Sequence, residues 1–219
     1  MFCHSSNPIY LIFSENVPSL VYYSHIPIFI ITLYIGIYFY LKNNKRLVNI
    51  VFFIITLFFS LWVILDLIFW ASNKSDIIMF VWSTQILIEP IIHISSTYLL
   101  YLLIYKKDVP FKFKVITFVI YIPLIILAPT KLTLTSFDIE KCLSQESLFS
   151  YYSYVIEILS IFSCFYIFLK KYKKQLKSED KKKDIFLLMN IIMMLSLFTW
   201  GAITGSFTEN WNIAQFGLF

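Results

Sequence analysis

Glycine is scarce in this chain, with four in 219 residues, and no Gly/Ser-rich or Pro-rich stretch divides it. Without such a linker, residues 1–219 read as a single domain. There is no phosphate-cradling glycine loop, no nucleophile elbow and no His-Glu-x-x-His sequence, so the common signatures of soluble catalysis are missing. Charge is sparse as well. Asp, Glu, Lys and Arg make up 14% of the residues, against 59% hydrophobic and 20% aromatic. Soluble domains carry about 25% charged and about 45–50% apolar residues, and a mean hydropathy of +0.76 lies well beyond them. Only three cysteines occur. No Cys/His spacing resembles a metal site, and no cofactor is implied. Cys3 and Cys142 fall on the same predicted side, where a disulfide and two separate thiols are both open. Cys164 lies inside an apolar run and reads as a small packing residue.

What is present is a series of long apolar segments. A helix needs about 20 mainly apolar residues to cross about 30 Å of hydrocarbon. Six segments qualify, at approximately 20–41, 47–70, 77–105, 113–129, 149–169 and 185–207, with no Lys or Arg in their interiors. They are too long for barrel strands and do not alternate polar with apolar residues. Fifteen of the eighteen Lys and Arg residues fall in three alternate loops: Lys42, Lys45 and Arg46; Lys106, Lys107, Lys112 and Lys114; and eight lysines from Lys170 to Lys183. Basic loops stay in the cytoplasm, so the N-terminus is predicted outside. The first eighteen residues hold Pro8, Glu15 and Pro18 but no Lys or Arg. They lack the basic start and small-residue end of a cleaved signal peptide, so the first span is expected to insert uncleaved.

The expected fold is therefore an all-α, polytopic membrane bundle in a cell membrane. It has six complete transmembrane helices and the start of a seventh from about residue 213. The segment Asn210–Phe219 turns apolar on the outer side, and reads as the entry to that seventh span or as an interfacial segment anchored by Trp211. The net charge of +5 follows from topology and suits anionic lipid headgroups. It is no nucleic-acid signal, because interleaved aromatics such as Tyr172 are too few for a stacking platform. Trp62, Trp70, Trp82 and Trp211 near the outer boundary read as an interfacial belt. The outer loop 130–148, with Asp138, Glu140 and Glu146, is placed to fold over the mouth of the bundle.

Three carboxylates sit inside the spans: Asp66, Glu89 and Glu157. An ionised group near the bilayer centre costs about 2.5–3.5 kcal/mol on insertion scales, so such residues turn to the bundle interior. Asp66, about one turn from the outer end of span two, is a possible outer-side acid able to reach the interface. At about 100° per residue, Trp82, Gln85, Glu89, His93 and Ser96 share an arc of roughly 80° on span three. Ser150, Ser153, Glu157, Ser160 and Cys164 do the same on span five. Lipid offers such stripes no hydrogen bonds. They predict an outer-half polar pocket of Gln85, Glu89, His93, Ser153, Glu157 and Ser160 that takes a small ligand or a proton, or else glues helices together. Glu89 and His93, four residues apart, are placed to share a proton. Pro90 between them removes a backbone hydrogen bond and kinks the helix. Gly201 and Gly205 in span six have the spacing of a close helix contact, within the chain or at a homodimer seam.

Several stretches carry a family likeness. These are Phe59-Ser60-Leu61-Trp62 followed by Asp66 and Trp70, and Trp82 opening span three. The loop Asp138-Ile139-Glu140-Lys141-Cys142 with Tyr151-Tyr152-Ser153-Tyr154, and the closing Gln215-Phe216-Gly217-Leu218-Phe219, add to it. Over roughly residues 20–219 the chain resembles the N-terminal seven-transmembrane sensor region of bacterial histidine kinases. The resemblance implies a sensory input domain in a bacterial plasma membrane. Its seventh helix would lead to dimerisation and ATP-binding modules of a two-component system, none of which this chain contains. His4, His25 and His93 do not fit the phospho-accepting histidine. The competing expectation is a piece of a proton- or cation-coupled transporter, with Glu89, His93 and Glu157 on the path. Transporters commonly show internal repeats and paired helix breaks. Pro90 is the strong interior breaker, with Pro123 in span four, and no repeat is evident.

Overall fold

The computed structural model describes residues 11–14, 17–138, 143–172 and 178–208. Six helices follow in order: α1 Ser19–Lys42, α2 Leu47–Ala71, α3 Ser75–Tyr105, α4 Phe111–Leu127, α5 Tyr151–Tyr172 and α6 Ser178–Thr208. Between α4 and α5 runs one antiparallel hairpin, β1 Leu134–Asp138 and β2 Leu143–Glu146. The predicted spans thus each correspond to a helix. Five of the six are long and apolar enough to cross a membrane, and α4, at 17 residues, is the exception. Large apolar side chains cover the exterior, among them Ile30 and Tyr34 on α1, Phe118 and Val119 on α4, and Phe186 and Met193 on α6. An outside of this kind suits hydrocarbon rather than water, and these are the marks of a multi-pass membrane protein. Cys3, Cys142, Glu140, Trp211 and the segment from about 213 lie outside the described residues.

Helix α3 is the hub. It packs against α2 on one side and α5 on another, with smaller contacts to α6, α4 and the hairpin. The main apolar core lies between α1, α2 and α3 around Val63, Leu67, Phe69, Ile78 and Ile92. A second cluster joins Leu100 and Ile104 of α3 to Cys164 of α5 and to Leu188 and Leu195 of α6. Cys164 is buried there, as expected of a packing residue. Phe198 of α6 reaches across to stack edge-on with Trp62 of α2, with ring centroids 4.8 Å apart. At the other end of the bundle, Asp108 accepts hydrogen bonds from Lys114 Nζ at 2.6 Å and from the Tyr98 hydroxyl, tying the end of α3 to the start of α4. The Lys114 ammonium, helped by Tyr98, holds the Asp108 carboxyl below its ordinary range. This clasp is therefore complete at neutral pH and is lost as pH falls through that lowered range.

The α1–α2 pair closes tightly because Gly36 faces Thr56. A Cβ built at Gly36 would stand 2.0 Å from Thr56 Oγ1 and 2.9 Å from Thr56 Cβ. Rotating the threonine moves the first atom but not the second. Gly36→Ala is expected to destabilise the protein in detergent by about 1–3 kcal/mol, the usual cost of overpacking a filled contact. Thr56→Ala in the same chain should recover part of that loss, as read from thermal unfolding of both variants. Equal melting temperatures for wild type and Gly36→Ala would show that the helices do not meet here.

A carboxyl–histidine cluster under the hairpin

A carboxylate carried into an apolar bundle must find donors or a proton, since neither hydrocarbon nor aliphatic side chains supply a hydrogen bond. Here tryptophan indoles supply them. Trp62 Nε1 of α2 donates to Glu89 Oε1 of α3 at 2.9 Å. Trp70 Nε1 donates to Asp66 Oδ2 one turn earlier on α2, at 3.1 Å. Trp82 Nε1 of α3 donates to Glu146 Oε1 of the hairpin, also at 3.1 Å. The belt reading therefore fails for Trp62 and Trp70. Both are buried, because each indole N–H is needed by an acid inside the bundle.

The polar stripes of α3 and α5 do converge. Gln85, Glu89, His93 and Ser96 on α3 are buried, as are Ser150 just before α5 and Ser153, Glu157, Ser160 and Cys164 on it. Their roles divide. Ser153 and Ser160 turn their hydroxyls back to the carbonyls of Ser150 and Ile156, at 2.7 and 2.8 Å, a common resting place for serine in a helix. They leave a narrow seam into which Thr97 of α3 fits, donating to the Ser160 carbonyl at 3.2 Å. Gly201 is partly exposed on α6, and the side of α6 from Gly205 onward lies outside the described side chains.

Glu89 and His93 do share a turn, but their side chains do not share a hydrogen. His93 Nδ1 bonds the backbone carbonyl of Glu89 at 2.9 Å, while the Glu89 carboxyl is drawn toward Trp62 on α2. His93 Nε2 instead meets Thr199 Oγ1 of α6 at 2.8 Å and lies 3.9 Å from Glu157 Oε2. That last distance suits an ion pair but is too long for a hydrogen bond. Glu157 is fully buried, at 0% exposure, and neither of its oxygens has a hydrogen-bond partner among the described residues. Its polar neighbours are Glu89, Thr199 and Glu146. Four helices thus meet at one acidic point: α2 through Trp62, α3 through Glu89 and His93, α5 through Glu157, and α6 through Thr199. Among the described residues, no group of three or more His, Cys, Asp or Glu side chains could hold a metal ion.

The hairpin closes this cluster from the predicted outer end, as the sequence anticipated for the 130–148 loop. Besides the Trp82 bond, Glu146 accepts from the Tyr154 hydroxyl at 3.1 Å and from Ser150 Oγ at 3.2 Å. Leu134 inserts between Ile86, Leu124 and Ile156. Near Pro90, through which α3 continues as one helix, the Tyr121 hydroxyl of α4 donates to the Leu87 carbonyl at 2.7 Å. Proline disrupts the backbone ladder just before itself, and α4 is tied to α3 in that stretch.

A second polar junction joins α1 to α2. His25 Nε2 lies 2.8 Å from Asp66 Oδ2, and its Nδ1 lies 2.9 Å from the Val21 carbonyl and 2.8 Å from Ser24 Oγ. Asp66 therefore does not serve chiefly as an interfacial acid. It is the partner of a buried histidine and keeps a side-chain exposure of 15%. His25, Thr199, Trp62 as a donor and Tyr121 were not singled out from the sequence. His25 had a signal: α1 and α2 are antiparallel across the short turn at 43–46, and similar distances back from that turn bring His25 beside Asp66. No protein-family model, curated protein or solved structure matches the chain.

Glu146→Ala would strip three donors of their shared acceptor, at about 1.5–3 kcal/mol for a hydrogen bond to a charged group. Faster hydrogen exchange over residues 134–146, with α1 and α2 unchanged, is the expected result. Unaltered exchange in the hairpin would show that Glu146 does not anchor it.

Proposed function

We propose that this chain is the membrane-embedded input region of a signal-transduction protein in a bacterial plasma membrane, with the buried carboxyl–histidine cluster as its stimulus site. The observation that carries the reading is the meeting of α2, α3, α5 and α6 at Glu89, His93, Glu157 and Thr199 beneath an anchored hairpin. A change in that cluster acts on four helices at once, which is what an input domain needs to convert occupancy into helix movement. The resemblance to the seven-transmembrane sensor region of histidine kinases adds the expectation of a seventh span from about 213, a homodimer and a cytoplasmic output module. In this reading α4 is the fourth of six crossings. Its 17 residues lie at the short end of the spanning range, and Leu124 near its end packs beside Ile86 in the outer half of α3. The basic loops then face the cytoplasm.

The second reading is a proton- or cation-coupled transporter, favoured by the buried Glu157 carboxyl, which lies beside His93 and has no hydrogen-bond partner among the described residues. Proteoliposomes separate the two. Under an imposed pH or sodium gradient, the input-domain reading expects no flux above empty vesicles. Gradient-driven flux that disappears in Glu157→Gln would overturn it in favour of transport. Single-cysteine labelling tests the crossings: Lys112→Cys should react only from the cytoplasmic face and Ser136→Cys only from the outer face. Reaction of both from one face would remove α4 from the set of spans.

A further inference from the structure

The ligand of the buried site follows from the bonding rules of its own atoms. The Glu89 carbonyl can only accept, so His93 Nδ1, 2.9 Å away, carries a hydrogen in every state. The remaining choice falls on His93 Nε2, which meets the Thr199 hydroxyl at 2.8 Å. A hydroxyl has one hydrogen to give and lone pairs to receive. If Nε2 is bare, Thr199 gives its hydrogen to the imidazole and has none for Glu157. Within this triad the wholly buried Glu157 then has no donor, and it is satisfied as the neutral acid. If Nε2 carries a hydrogen, it donates to Thr199 Oγ1, and the imidazolium stands 3.9 Å from Glu157 Oε2. The Thr199 hydrogen is then free to turn toward the carboxylate. The two arrangements contain the same number of protons. They differ by one transfer across Thr199, in which the hydroxyl accepts a hydrogen from one side and yields its own to the other.

We propose that His93, Thr199 and Glu157 bind one exchangeable proton between α3, α6 and α5, and that this proton is the ligand of the site. The proposal rests on the cluster being the stimulus site, and it names what that site binds. Without the proton, a neutral imidazole and a hydroxyl already committed to it face a buried carboxylate that has no donor. A bundle in that state lowers its energy by moving α5 or α6 to admit water. The other ionisable groups acting on the cluster are Glu89 on α3, held by Trp62, Glu146 on the hairpin, held by Trp82 and Tyr154, and Asp66 on α2, paired with His25. All three are acids, so none of them supplies a cation to Glu157.

The test is infrared difference spectroscopy of the purified full chain in lipid nanodiscs, titrated with alkali in potassium buffer. Wild type should show one equivalent of a buried carboxylic-acid C=O stretch or of an imidazolium ring mode, lost in a single step. Glu157→Gln, nearly the same size and needing no proton, should fold with unchanged helix content and lose both modes together. Thr199→Val should retain the proton but exchange it for deuterium at least tenfold more slowly, whereas Thr199→Ser should restore the rate. An ionised carboxylate with neutral imidazole throughout the titration would overturn the proposal, as would a titration unchanged by Glu157→Gln. If sodium displaced the signal at constant pH, the site would belong to an alkali cation instead. Flux in the vesicle assay bears on the input-domain reading alone, so the two can fail separately.

Discussion

The architecture depends on one constraint: an acid inside an apolar bundle has to be answered by a hydrogen-bonding group that packing brings to it. Asp66, Glu89 and Glu146 are each answered by an indole, and Asp66 by an imidazole as well. Indole suits the task because it gives one hydrogen bond and adds no charge, so the acid is satisfied without a cation being brought into the hydrocarbon. Each such bond also fixes relative position, since the ring that donates is packed by the core around it. Trp62 illustrates this. Its N–H meets Glu89 while its face meets Phe198 of α6, so α2, α3 and α6 are positioned by a single side chain. Glu157 is the acid for which this scheme is incomplete, and that incompleteness sets it apart.

Much of this was legible in the residues. The apolar runs located five of the six helices to within three residues, because long uninterrupted hydrophobic segments leave few alternatives; α6 begins at Ser178, seven residues before the expected span, because its first turns are charged. The polar stripes of α3 and α5 identified Glu89, His93 and Glu157, because helical spacing alone decides which residues share a face. Partnership was harder to read. The sequence suggested that Glu89 and His93 share a proton from their spacing of four, yet a competing donor on α2 drew the carboxylate away. Thr199 gave no signal, since a lone threonine in an apolar helix looks like any small packing residue. Trp62 and Trp70 depart from the belt expectation for a related reason: position near the boundary suits a belt, and only three-dimensional packing shows the N–H turned inward.

The two histidines divide the molecule into two different junctions. His25 joins neighbours in sequence, α1 and α2, beside an acid that retains some exposure. His93 joins helices far apart in sequence and sits where nothing is exposed. The first contact stiffens a helical pair that Gly36 already holds close. The second spans the bundle, and any rearrangement there is felt by α5 and α6, whose other ends carry the lysine-rich segment.

The wide sequence separation of the His93–Thr199 contact has a consequence for biogenesis. Ribosomes deliver α3 well before α6, so the imidazole enters the bilayer with its last partner still unmade. Until α6 emerges, α3 must be sheltered by α2, by the insertion machinery or by water. Nascent chains stalled short of residue 199 should for that reason engage membrane chaperones longer than chains that have passed it.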